Sequence, residues 1–162
     1  MNLAIISDVH DNLANLEKFL FWAEESKIDA LLCCGDLTNA ETLEILASKF
    51  KQEIYLVQGN CELFDAQEIQ KYSHIKFLAR VGHFKIANLK IGACHEPFFI
   101  DKVLEKDCDF VFYGHTHKPW VEERAGVQII NPGTLGGVFQ KACFAVLELE
   151  TKKFELKILE RI

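Results

Sequence analysis

The stretch NLAIISDVHDNL, residues 2–13, decides the fold. Residues 2–7 form an almost continuous apolar run, which is typical of a strand buried on both faces of a sheet. The run ends in Asp8-Val9-His10, and Asn12 is a suitable N-cap for a following helix. That helix is predicted by apolar residues that recur at helical spacing: Leu13, Leu16, Leu20 and Ala23. A buried strand, a polar loop and an amphipathic helix together indicate an α/β unit.

The same order of strand, polar loop and helix repeats along the first half of the chain. Residues 30–34 predict a second buried strand ending in Gly35-Asp36, and a helix is predicted over 40–50. Residues 53–57 predict a third strand, which ends in Gly59-Asn60. Such repeats favour parallel strands.

The second half of the chain is richer in strands. A hairpin is predicted around Asn88-Leu89, followed by a helix over 98–106. Further strands are predicted over residues 110–113, 120–124, 127–130, 143–149 and 154–159. We therefore expect one domain, residues 1–162, in which two β-sheets pack face to face with helices outside them.

The composition excludes several classes of protein. Charged residues make up 26% and apolar residues 49% of the 162 positions, as in an ordinary globular domain. The net charge of −6 gives no general attraction to nucleic acid, so no stable nucleic-acid binding is expected. No apolar stretch approaches the roughly 20 residues of a membrane helix, and no signal peptide is evident. The six cysteines include no C-x-x-C pair, and we expect reduced thiols in a cytoplasmic protein.

Polar residues suited to metal binding stand directly after the predicted strands. The carboxyl ends of strands in an α/β sheet form one rim, so residues far apart in sequence can converge there. Four of the six histidines belong to this group, whereas His74 and His83 have no such setting. The convergent set comprises Asp8, His10, Asp36, Asn60, His95, His115 and His117.

Seven oxygen and nitrogen donors are too many for one tetrahedral site. They suit two cations that share a bridging carboxylate, a pair usually about 3.5–4 Å apart that clamps the attacking and leaving oxygens of a displacement. A lone Asp-x-His or Gly-Asp is more often an ordinary turn, so the prediction depends on the joint pattern. Ligands without thiolate favour Mn, Fe, Co, Ni or Zn over a structural zinc.

The order of these motifs resembles that of the calcineurin-like metallophosphoesterases, in particular their small branch that includes the YfcE-type phosphodiesterases. The matching motifs are Ser7-Asp8-Val9-His10, Gly35-Asp36, Gly59-Asn60-Cys61-Glu62, Cys94-His95, Gly114-His115-Thr116-His117 and Asn131-Pro132-Gly133-Thr134. The resemblance implies a four-layer α/β/β/α sandwich of two mixed sheets flanked by helices.

The resemblance also implies a dinuclear site and an assignment of its ligands. Metal one would be held by Asp8, His10, Asp36 and His117, and metal two by Asp36, Asn60, His95 and His115. Asp36 would bridge the two cations together with a water or hydroxide that attacks phosphorus. Asp36, Asn60 and His95 are the implied catalytic residues. Mn²⁺ is the first expectation for both cations, with Ni, Fe, Co, Zn or Mg as alternatives.

Three positions depart from the family pattern. Cys61 occupies the place where the larger phosphatases carry a histidine that helps to protonate the leaving group, as is usual in the small branch. Asp11 and Glu96 replace glycines, and each carboxylate would either repel dianionic monoesters or point to solvent.

The sequence therefore predicts a metal-dependent phosphodiesterase that acts on a small phosphodiester, with a nucleotide as one candidate. The alternatives are a phosphomonoesterase with the same dinuclear site and a non-catalytic scaffold like the retromer subunit that resembles this branch. A monomer or homodimer is expected, with no membrane partner.

Overall fold

Two mixed β-sheets pack face to face in the computed structural model, which describes residues 1–162. The six-stranded sheet has the order β11-β10-β1-β2-β3-β4, and the five-stranded sheet has the order β5-β6-β7-β9-β8. The strands are β1 Asn2–Ile6, β2 Ala30–Cys33, β3 Glu53–Leu56, β4 Ile75–Phe77, β5 Val81–Ile86, β6 Leu89–Cys94, β7 Phe110–Phe112, β8 Trp120–Arg124, β9 Val127–Asn131, β10 Cys143–Glu148 and β11 Lys153–Ile158.

Helices cover the outer face of each sheet. The α-helices are α1 Leu13–Glu25, α2 Ala40–Lys49, α3 Ala66–Gln70 and α4 Ile100–Val103. Short 3₁₀ turns occupy Pro97–Phe99 and Leu159–Arg161. No helix combines the length and the apolar character that a membrane crossing requires.

Three apolar clusters hold the four layers together. One lies between helices α1 and α2 and the six-stranded sheet, and it includes Phe19, Leu46 and Phe144. A second fills the space between the two sheets. The third lies between the five-stranded sheet and α4, where Val103 and Ile129 are fully buried. The α/β/β/α sandwich expected from the sequence is thus confirmed.

Parallel strands bring the polar loops to one edge of each sheet. β1, β2, β3 and β4 pair in parallel, as do β6, β7 and β9. The residues that follow the carboxyl ends of neighbouring parallel strands therefore lie at the same edge of the sheet.

Several predicted elements differ from the observed ones. The helix predicted over 98–106 is limited to α4 and the preceding 3₁₀ turn, because Pro97 begins the turn and the chain leaves the helix at Leu104. Helix α3 and strand β4 were not predicted, since each is five residues long or shorter and neither gives a periodic signal. Trp22 packs on Phe144 with ring centroids 4.8 Å apart, whereas Phe21 is exposed.

Candidate metal centre

All seven predicted ligands converge on the rim at the carboxyl ends of the parallel strands. Asp8 and His10 follow β1, Asp36 follows β2, and Asn60 follows β3. The five-stranded sheet contributes His95 after β6, and His115 and His117 after β7. The structure brings all seven side chains together, and the distances between them are given below.

One group of side chains surrounds Asp8. His117 Nε2 lies 3.2 Å from Asp8 Oδ1 and 3.1 Å from His10 Nε2. His10 Nε2 is 3.7 Å from both Asp8 Oδ1 and Asp36 Oδ2. Ligand atoms of Asp8, His10 and His117 all lie within 4.8 Å of one another, which is close enough for a single ion to contact them together.

A second group surrounds Asn60. Asn60 Oδ1 lies 2.9 Å from His95 Nε2 and 2.8 Å from His115 Nδ1. His95 Nε2 is also 3.2 Å from Asp36 Oδ2, the carboxylate oxygen that faces His10 in the first group. Asp36 therefore stands between the two groups and contacts both.

The ligand atoms of the two groups are oriented in a way that suits bound cations. His95 Nδ1 is 2.7 Å from the Cys34 carbonyl oxygen, and His117 Nδ1 is 3.1 Å from that of Val138. A carbonyl oxygen only accepts, so in the neutral rings both Nδ1 atoms carry the proton and both Nε2 atoms present lone pairs to the site. Asp8 Oδ1, which is buried, has no hydrogen-bond partner. With these tautomers, the Nε2 lone pairs of His95 and His117 and the free Asp8 Oδ1 converge on the site, and divalent cations would satisfy them.

In the metal-free protein, protons compete for these positions. Burial lowers the pKa of His95, but its hydrogen bond to Asp36 and the charges of Asp8 and Asp36 outweigh burial and raise it to about 9. The pKa of His10 is raised by its interaction with Asp8 and by the charge of Asp36, against the effect of burial. Burial raises the pKa of Asp36, yet the interaction with His95 prevails and holds it well below the usual range. The site therefore attracts positive charge.

Backbone strain is concentrated at the same residues. Five of the seven predicted ligands, which are Asp8, His10, Asp36, His115 and His117, have φ between 47° and 68°. Asp and His tolerate this left-handed region better than most residues, but it still costs free energy. Such strain is common at functional sites, where the surrounding structure enforces it.

The neighbouring loops hold Asp8 and the histidine motif in place. Thr134 Oγ1 donates to the Asp8 carbonyl oxygen over 2.8 Å, and Asn131 Nδ2 donates to that of Gly114 over 2.7 Å. His115 N donates to Asp8 Oδ2 at 3.0 Å. The Asn131-to-Thr134 segment, noted in the sequence without a role, thus joins the two loops that carry the ligands.

Two glycines let the loops approach one another. A Cβ on Gly114 would lie 2.0 Å from Ser7 Oγ and 2.9 Å from Asp8 Oδ2. A Cβ on Gly35, whose φ is +101°, would lie 2.8 Å from His95 Nδ1. Any larger residue at either position would displace a predicted ligand.

Glu62 supports the site, although sequence reasoning gave it no role. Its Oε1 accepts a hydrogen bond from Leu37 N at 3.1 Å, directly after Asp36. Burial raises the pKa of Glu62 to about 7; the hydrogen bond from Leu37 opposes this, and the charge of Asp36 adds to it. Its place at the end of the Gly59-Asn60-Cys61-Glu62 motif was the signal in the sequence that could have indicated this supporting role.

Neither of the two carboxylates that replace family glycines simply points to solvent, and the repulsion of dianionic monoesters stays a prediction for Glu96. Asp11 neither faces the site nor extends into solvent, because its oxygens accept hydrogen bonds from Asn39 and Thr42 at the start of α2. Glu96 is 5% exposed, so it does not point to solvent. Cys61 lies at the site, with its sulfur within 4.8 Å of ligand atoms of His10 and Asp36.

Comparison with known sequences agrees with the motif order. The model of the calcineurin-like phosphoesterase superfamily domain matches residues 1–152. The phosphodiesterase MJ0936 of Methanocaldococcus jannaschii is 26% identical over 170 residues, covering 99% of this chain and all of that protein. The phosphodiesterase YfcE of Escherichia coli K12 is 27% identical over 153 residues, covering 83% of this chain and 79% of that protein.

Solved structures share the fold at lower identity. A structure described as a novel archaeal phosphodiesterase superposes with a TM-score of 0.87 at 22% identity, and the match covers 98% of this chain and 99% of that one. Zinc-complexed Vps29 of Entamoeba histolytica superposes with a TM-score of 0.71 at 22% identity, covering 98% and 99% of the two chains. At these identities the likeness establishes the fold alone.

Proposed function

The chain belongs to the calcineurin-like phosphoesterase superfamily, and from that premise we propose that it is a metal-dependent phosphodiesterase with a dinuclear centre. Its substrate would be a small phosphodiester. The observation that carries this proposal is the pair of ligand groups that share Asp36, in which carboxylate, imidazole and amide ligand atoms lie close together.

The two groups suggest the ligands of each cation. Asp8, His10 and His117, together with Asp36, would hold the first, and Asn60, His95 and His115, together with Asp36, the second. The cations would polarise the phosphoryl oxygens and lower the pKa of the attacking water, with Mn²⁺ the first choice and Ni, Fe, Co, Zn or Mg as alternatives.

The chain's own residues would position the reactants. Asp36 Oδ1 accepts a hydrogen bond from Cys61 N at 2.9 Å, which leaves Oδ2 directed to His10 and His95. His95 is fully buried and fixed by Cys34, so its Nε2 keeps one orientation. Preorganised ligands of this kind need no rearrangement when the substrate binds.

A preference for diesters follows from Cys61. The thiol stands where a histidine would protonate a poor leaving group, and loss of a general acid typically slows such a reaction by about 10²–10⁴-fold. Esters with acidic leaving groups would suffer least. We therefore place diester hydrolysis ahead of monoester hydrolysis at this site.

The test compares bis(p-nitrophenyl) phosphate with p-nitrophenyl phosphate in the presence of Mn²⁺. Wild type should hydrolyse the diester faster and bind two metal ions per chain by calorimetry. Asp36→Asn and His95→Ala should each abolish turnover and reduce metal binding. His74→Ala is the matched control, because His74 lies before β4 and its ring contacts Tyr72 instead of the site.

A scaffold function is the second candidate, and the likeness to Vps29 is the observation that favours it. The complete set of acceptors at the rim favours the enzyme. A chain that binds two metal ions but hydrolyses neither ester would contradict the proposed phosphodiesterase and direct attention to protein partners.

A further inference from the structure

Phe139 is an exposed aromatic residue at the edge of the candidate metal centre. Its side chain is 91% exposed, more than that of any other large apolar residue, and its ring centroid lies 5.9 Å from that of His117. Its φ of 62° is unusual for a bulky residue. Exposure and backbone strain both oppose this arrangement, so a contact with a ligand would account for a feature that packing does not.

A cavity of about 640 Å³ opens beside Phe139. Its volume lies within the roughly 300–1,000 Å³ typical of small-molecule sites. Polar side chains line it, among them those of Asn15, Lys18, Gln140 and Lys141. Lys141 lies 3.5 Å from Glu160, whereas Lys18 makes no ion pair. Glu160 lines the cavity as well, so Lys18 is its one charged side chain outside an ion pair, and the lining as a whole is polar.

We propose that one arm of the substrate is a nucleoside whose base stacks on Phe139 and extends into this cavity, while the phosphate lies between the two ligand groups. This inference rests on the proposed phosphodiesterase function. Any of the bases is planar and gains binding free energy by stacking on an aromatic ring, whereas an aliphatic arm has no such preference. His117 belongs to the first ligand group and its ring centroid lies 5.9 Å from that of Phe139, so Phe139 stands directly beside the place proposed for the phosphate.

The experiment measures the contribution of the base alone. AMP and ribose 5-phosphate share the sugar phosphate and differ in the base, so the ratio of their dissociation constants isolates stacking. Calorimetry on the Mn²⁺-loaded chain should give an affinity for AMP about tenfold or more above that for ribose 5-phosphate. Phe139→Ala should bring the ratio close to one, and Phe139→Trp should restore it.

Phe21→Ala provides the matched control, because Phe21 is 67% exposed but lies on α1. It should keep the wild-type ratio. Equal binding of the two ligands to wild type, or an undiminished ratio in Phe139→Ala, would overturn the stacking proposal while leaving the phosphodiesterase intact. Failure of both ligands to bind the metal-loaded chain, together with an absence of diester hydrolysis, would overturn both proposals.

Discussion

Replacing Asp11 by alanine is expected to destabilise the metal-free chain by about 2–3 kcal/mol. Asp11 Oδ1 accepts hydrogen bonds from Asn39 N at 2.9 Å and Thr42 Oγ1 at 2.5 Å, and Oδ2 accepts one from Asn39 Nδ2 at 2.5 Å. Asn39 is the N-cap of α2 but makes no capping hydrogen bond with its own side chain. Asp11 therefore caps α2 from a neighbouring loop and places a negative charge at its positive end.

The magnitude comes from the different exposure of these contacts. Thr42 is fully buried, so its hydroxyl would lose a charged acceptor that typically contributes about 1.5–3 kcal/mol. The contacts with Asn39 are exposed, and a charge at a helix N-terminus contributes roughly 0.3–1 kcal/mol there. For a chain of this size, the loss should lower Tm by roughly 5–10 °C. Asp11→Gly should cost less, because glycine relieves the strain of φ 55°.

Thermal unfolding in the presence of EDTA measures this effect. Asp101→Ala is the control, since its side chain is 85% exposed and its ion pair with Arg124 spans 3.5 Å; it should change the free energy of unfolding by less than about 0.5 kcal/mol. In a Thr42→Val background the cost of Asp11→Ala should shrink. An unchanged Tm in Asp11→Ala, or the same cost in both backgrounds, would refute the capping role.

The same variant separates capping from substrate repulsion. If the Asp11 carboxylate repelled dianionic monoesters, its removal would raise the ratio of monoester to diester turnover. Because the carboxylate is turned toward α2, we expect that ratio to stay at the wild-type value.

Four further predictions address the metal centre. Gly114→Ala should lose at least one metal ion in calorimetry, because the new Cβ would lie 2.9 Å from Asp8 Oδ2; Gly126→Ala, where nothing lies within 4 Å, should keep the full stoichiometry. Since the pKa of His95 is raised to about 9, a metal ion must displace its proton, and the apparent affinity should rise by up to about tenfold per pH unit from pH 7 to 9 and level off above. A metal affinity that does not depend on pH would contradict the raised pKa of His95. The same raised pKa contributes to the stability of the folded metal-free chain: the contribution is fully present below about pH 6.5 and should be lost as the pH rises through 9. Cys61→His should speed monoester hydrolysis by about 10²-fold if the slot serves leaving-group protonation, and an unchanged rate would show that it does not.

The sheets and the ligand rim could be predicted because both depend on strong local signals. An apolar strand followed by Asp, Asn or His is visible in the chain at β1, β2, β3, β6 and β7. The rule that parallel strands end at one edge then brings the ligands together. Glu62 and Thr134 were missed as supporting residues because their roles depend on partners 25 and 126 residues away.

Asp11 shows the limit of reading a departure from a motif. Its position beside His10 suggested a charge at the rim, but its side-chain direction depends on a backbone φ of 55° and on where α2 begins. Neither is encoded in the residues around Asp11. A carboxylate near a helix N-terminus is stabilised by the positive end of the helix dipole. For Asp11 this interaction decides the direction of the side chain, which points neither to solvent nor to the substrate.

The strain at the rim bears on whether the site is a working one. Five ligands in the left-handed region cost on the order of 1 kcal/mol each, a sum comparable with the net stability of a small domain. The hydrogen bonds at Cys34, Val138 and Asn131 then hold these loops against the strain, and the first two fix the orientation of the His95 and His117 rings. A binding surface formed by the outer faces of the sandwich would need none of this strain, whereas the proposed cations would require the loops to bring these ligand atoms together. The geometry therefore supports the proposed metal centre over a scaffold function and makes this rim the first place to test for chemistry.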